Sequence, residues 1–236
     1  MKRLLAALLA MALMLGLTGC GSQAQDESSL PSQSSSEAAV SSNAPEESEE
    51  SQTSSTEEDV VTITNVVDGV EYTVEFPEAP SRAVSLAGFT TEMMLALGLE
   101  DRMVGTAYQD NEILPEFKEA YESIEILSDR NPSQEVLLNA SPDFITGWAS
   151  AMSEKNFPID FLEKNNIRYF IPRSEGVGAG IDEVYEDFRQ LGEIFRVEDK
   201  AEEVIADMQE KIGAVEEKVK DLEPVKVFVY DSGEDA

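Results

Sequence analysis

Beyond residue 60 the apolar positions follow two rhythms. Residues 60–67 and 70–76 are β-rich and flank Asp68-Gly69. This pattern predicts a hairpin, because a glycine tolerates the positive φ of a tight primed turn. Pro77 and Pro80 then stop the strand. Short apolar runs at 83–86, 103–107, 124–127, 144–148 and 168–171 predict five more strands. Helix signals fall between and after them, at 90–97, 131–140, 157–165 and 181–195. Thr90 reads as the cap of the first helix and Gly98 as its stop. Asn131, Pro132 and Gln134 read as the cap, the first helical residue and the box partner of the second. Strands this short, alternating with helices, predict an α/β fold: a parallel sheet with helices on both faces.

A longer periodic stretch follows at 198–222. Ala201, Ile205, Met208, Ile212, Val215, Val219 and Leu222 are spaced four and three. A helix of this extent is roughly 37 Å long. The stripe suits a coiled-coil dimer or a helix lying along its own domain; Gly213 at its middle weighs against the coiled coil. Pro224 ends the run. Residues 225–230 then predict an apolar strand, and the sequence stops six residues later, a pattern expected where a second sheet has just begun.

The first residues have another character. Lys2 and Arg3 precede an apolar run over 4–17, which ends in Leu17-Thr18-Gly19-Cys20. A basic start and an apolar core of this length predict a secretory signal, short for a membrane span. The last four residues resemble a bacterial lipobox, which makes Cys20 the expected lipidation site. As the only cysteine, it leaves no intramolecular disulfide. Residues 21–59 hold thirteen serines, ten acidic residues and no Lys or Arg. Such a segment buries too little apolar surface to offset chain entropy and reads as a disordered tether.

Charge and composition remove several functions. The net charge of −31 opposes nucleic acid and anionic lipid. With no histidine, Ser-His-Asp triads, Cys-His pairs and His-containing metal sites are ruled out. No catalytic set, metal-ligating set or resident cofactor is expected. The glycine run at 176–180 invites a dinucleotide reading, but the third glycine of that fingerprint falls on Ile181.

Several segments taken together resemble a family. They are Arg82-Ala83-Val84-Ser85-Leu86, Thr91-Glu92 with Ala96-Leu97-Gly98, Met103-Val104-Gly105, Asp199-Lys200-Ala201, and above all the stretch from Glu135 through Ala140-Ser141-Pro142-Asp143 to Ile145. Their order and spacing resemble the solute-binding proteins of ABC importers for ferric siderophores, haem and vitamin B12. The resemblance implies two α/β lobes joined by a backbone helix, with ligand in the cleft and delivery to a membrane permease. It divides the chain into a signal peptide (1–19), a lipid anchor and tether (20–59), a first lobe (60–196), the backbone helix (197–223) and the start of a second lobe (224–236) cut short. The protein is then expected outside the cytoplasm, lipid-anchored to the outer face of the cytoplasmic membrane. It is expected to work as a monomer, with a ferric siderophore as ligand and a cobamide or haem as the alternative.

In parallel α/β sheets, ligands lie beyond the carboxyl ends of the strands. Those ends fall at 87–89, 108–110, 128–130, 148–150 and 173–175. They offer Phe89, Tyr108, Arg130, Trp148 and Arg173 as ligand-binding candidates. Trp148 suits a core or a cleft equally; the resemblance implies the cleft, and likewise for Tyr108. Arg130 and Arg173 would neutralise an anionic chelate or simply sit at the surface. Glu135 matches the first-lobe glutamate that docks on importer arginines; read alone, it complements a helix dipole. Glu92 is a further acidic candidate. Two rival functions remain: an enzyme on this fold, which usually needs Cys or His, and a surface protein that dimerises through the long helix.

Overall fold

The computed structural model describes residues 60–229. Cys20, the expected signal and tether, and residues 230–236 lie outside the described residues. Strands β1 (Val61–Val67) and β2 (Val70–Phe76) form the expected antiparallel hairpin, with Val67 opposite Val70. Asp68 and Gly69 both take positive φ, 50° and 78°, as a primed turn requires. One face of the hairpin buries Ile63, Val67, Val74 and Phe76. Asn65 also lies on that face, and its amide replaces the missing strand contacts. Nδ2 donates to the Tyr169 carbonyl at 3.3 Å, and Oδ1 accepts from the Ile171 N–H at 2.7 Å.

The main sheet contains β3 (Ala83–Ser85), β4 (Met103–Ala107), β5 (Ile126–Ser128), β6 (Phe144–Thr146) and β7 (Arg168–Phe170). All are parallel, in the order β5-β4-β3-β6-β7. The chain winds outward from β3 to β5, then returns to the other side of β3 for β6. Right-handed crossovers therefore put helices on both faces. The central strands β3 and β6 are fully buried, as a sheet covered on both sides requires.

Helices α1 (Gly88–Ala96), α2 (Lys118–Glu122), α3 (Gln134–Asn139) and α4 (Ile159–Lys164) lie in the connections. Two predicted caps are corrected. Thr90 and Thr91 lie inside α1, whose cap position is Ala87. Their hydroxyls bond back to the Ala87 carbonyl and join Ser85 and Thr106 in a buried network. In α3 the cap is Ser133, whose Oγ accepts from the Val136 N–H; Asn131 and Pro132 precede it, and the Gln134 side chain turns to the Asn156 carbonyl.

Helix α5 (Ile181–Phe195) spans its predicted residues. Its Phe195 packs edge-on against Phe144 at 5.1 Å, and Phe144 against Phe76 at 6.1 Å, joining helix, sheet and hairpin. Helix α6 (Glu198–Val219) ends three residues before the predicted boundary. Its stripe is divided: Ala201 and Ile205 are buried, while Ile212, Val215 and Val219 are exposed. The predicted strand at 225–230 is not formed at 225–229. Those residues are exposed and have no strand pairing, and without a neighbouring ladder an apolar run has no reason to become a strand.

Candidate functional site

The carboxyl ends of the five parallel strands share one edge of the sheet. Each delivers one predicted side chain, so sheet order becomes site order: Arg130 after β5, Tyr108 after β4, Phe89 after β3, Trp148 after β6 and Arg173 after β7. The strand order reverses between β3 and β6, the point where open α/β sheets leave a crevice. Phe89 and Trp148 meet there, with ring centroids 4.6 Å apart and planes tilted by 54°. Trp148 is 36% exposed, too open for a core tryptophan.

Local backbone geometry sets each of these side chains. Gly147 takes a φ of 154°, and a Cβ there would stand 2.9 Å from that of Leu86. Only a glycine lets β6 leave the sheet so close to β3 and turn Trp148 outward. Tyr108 adopts a left-handed conformation, φ 58°, as β4 ends. Its carbonyl accepts from the Gly88 N–H at 3.2 Å, and the Arg130 guanidinium lies 4.8 Å from its ring centre. Such a contact contributes about 0.5–1 kcal/mol at an exposed site.

Two cavities open along this edge and share Gln109 and Asp110. One, of about 310 Å³, is lined by Gly88, Phe89, Glu92, Asn111 and Trp148 besides. The other, of about 330 Å³, adds Tyr108, Asp129 and Arg130. Gln109 donates from Nε2 to the Asn111 carbonyl. Its Oε1 is buried and finds no hydrogen-bond partner among the described residues. A third hollow of about 480 Å³ runs between α1, α5 and α6 and shares Phe89 and Glu92 with the first.

Arg173 lines neither edge cavity. Its backbone N–H is held by Asp187 Oδ1 at 2.7 Å, and its side chain is exposed. Glu92 is not in the first turn of α1; its carboxylate accepts from the Leu114 N–H at 2.9 Å and ties down the loop after β4. Glu135 stands exposed in the first turn of α3, one residue beyond the capped start.

Three residues escaped the sequence reading. Gln109 had no distinguishing pattern. Glu175 accepts the Ala149 N–H with both carboxylate oxygens, each at 3.0 Å, and so fixes the residue after Trp148. Asp187, fully buried on α5, holds the Arg173 and Ser174 N–H groups. Burial pushes both carboxyls above their ordinary range, against the lowering effect of these hydrogen bonds. Asp187 had a legible signal, since it falls three residues after Val184 and four before Leu191 on the apolar stripe of α5.

Comparison with known proteins adds a relationship. A family model described as periplasmic binding protein matches residues 84–236. A periplasmic binding protein of Veillonella parvula is 40% identical, with a TM-score of 0.70 over 74% of this chain and 60% of that one. The ABC-type Fe3+-hydroxamate transport system structure from Saccharomonospora viridis is 27% identical, with a TM-score of 0.54 over 67% and 57%. An uncharacterised ABC transporter substrate-binding lipoprotein of Bacillus subtilis is 27% identical over 69% of this chain and 50% of its own. The chain spans about half the length of the curated relatives it matches, 50% and 52%.

Proposed function

Because the chain belongs to the periplasmic binding protein family, we propose that it is the solute-binding lipoprotein of an ABC importer. In this reading Cys20 carries the lipid, residues 60–196 form the first lobe and α6 is the backbone helix. The protein captures a ferric siderophore outside the cell, as a monomer, and passes it to the permease. The observation that carries the reading is the row of side chains along the carboxyl edge, with Phe89 and Trp148 paired at the strand reversal. A face of this kind binds: it offers flat apolar contact, one stacked guanidinium and a free amide oxygen. The relatives from Bacillus subtilis and Saccharomonospora viridis support the transporter assignment by what they are named. The exposure of Glu135 in the first turn of α3 supports a docking role, in which its carboxylate would meet an importer arginine in a charge-assisted pair.

Trp148 is the only tryptophan, so its fluorescence reports on this face alone. Titration of the full chain with ferrioxamine should quench it saturably; cyanocobalamin in parallel tests the cobamide alternative. A flat response to both would sink the binding assignment. Glu135→Ala should leave that affinity unchanged and weaken association with the permease, by the roughly 2–5 kcal/mol lost with one partner of a desolvated pair. Normal uptake with a slightly lower melting point would leave Glu135 as a helix-end residue only. Sedimentation at the mass of one chain is the check on the monomer.

A further inference from the structure

Besides the contact of its ring with Phe89, Trp148 is held through its chain neighbours. On one side, Gly147 packs so closely on Leu86 that no side chain fits between them. On the other, Ala149 opens a short turn, Ala149–Met152, and its N–H is taken by both oxygens of Glu175 at 3.0 Å. Glu175 itself closes a second turn, Arg173–Glu175. That turn is fastened from beneath, because Asp187 of α5 accepts the Arg173 N–H at 2.7 Å and the Ser174 N–H at 2.9 Å. A chain of contacts thus runs from the buried side of α5 to the ring that faces the cavity.

We propose that Glu175, seated on the turn held by Asp187, is the positioning residue that fixes the Trp148 ring against Phe89. A carboxylate aimed at one N–H sets both the direction and the distance of the backbone that carries the indole. The charged group that acts on Glu175 is Asp187 across the turn, and Arg173 within the turn acts on Asp187. Burial and the neighbouring Asp187 raise the Glu175 carboxyl above the ordinary carboxylate range, against the lowering effect of the bond from Ala149. The consequence for ligand capture rests on the function proposed above; the positioning of the ring does not.

The test uses the full chain without ligand and reads the sole tryptophan by acrylamide quenching and anisotropy. In Glu175→Ala the quenching constant should rise about twofold or more, since a hydrogen bond to a charged group is lost. Glu175→Gln keeps the size and one acceptor, so it preserves the fold. It should quench to a degree between the parent and the alanine variant. Unchanged quenching in the alanine variant, or quenching in the glutamine variant equal to the parent's, overturns the proposal. If the alanine variant unfolds in a melting curve, the glutamine variant decides. Ferrioxamine and cyanocobalamin are then titrated into the same samples. Altered quenching in the variants with no binding to the parent would sink the importer reading and leave the positioning role standing.

Discussion

Tyr108 leaves β4 in a left-handed conformation that costs a non-glycine residue on the order of 1–3 kcal/mol. The cost is borne at the cavity edge, where the ring stacks with Arg130. Asp187 bears a second local cost. It is fully buried, and the N–H groups of Arg173 and Ser174 only partly replace the water it lost. Its folded pKa is raised, so the native state binds more protons than the unfolded chain between the ordinary Asp range and the raised value. Its contribution to stability is full below the ordinary value and is lost as pH rises through the raised one. Glu175 acts in the same sense. We predict that Asp187→Asn lowers the melting temperature, because an amide nitrogen replaces one acceptor. The variant should also flatten the fall in stability as pH rises through the window just above the ordinary Asp range. Parallel melting curves with equal slopes would show that Asp187 does not titrate in that window.

At the scale of elements, what sets α5 against α6 is one missing side chain. A Cβ on Gly192 would lie 2.7 Å from the Cβ of Ala201 and 3.3 Å from the Glu198 backbone. Gly192→Ala gains about 1 kcal/mol of helix propensity. Overpacking of this kind costs about 1–3 kcal/mol, and here the obstruction includes backbone. Net destabilisation of up to about 2 kcal/mol is expected, read as a lower midpoint in urea with an unchanged slope. An equal or higher midpoint would mean that α6 shifts freely on α5. The elements themselves were mostly legible: the hairpin, β4 and α5 lie where alternation and periodicity put them. Their ends were less so. Thr90 looks like a cap because hydroxyls usually serve that role. Here the hydroxyls are needed inside, where four buried side chains satisfy one another across β3, β4 and α1. Asn131-Pro132 is a fair helix start by local chemistry, and Ser133 displaces it with an actual bond to Val136. No local signal separates these cases, because the choice depends on which backbone donors tertiary packing leaves open.

Across the whole molecule, the sequence identified which side chains stand at the carboxyl edge but not how they are held. Phe89, Tyr108, Arg130 and Trp148 are found by counting strand ends. Their supports are contacts over long separations, such as Glu175 to Ala149 and Gly147 to Leu86. The net charge of −31 keeps the protein off anionic surfaces, so a lipid on Cys20 would have to supply the attachment itself. Cys20→Ser is expected to move the protein from the detergent phase to the aqueous phase on phase separation; partitioning like the parent would remove the anchor from the proposal. The spacing of the edge residues has a last consequence. Each follows a different strand, and the segments that carry them are joined through the sheet and a few backbone contacts. In the proposed function, a descendant can therefore exchange one contact with a new solute while keeping the others, and natural selection can retune the cargo stepwise without passing through an unfolded ancestor.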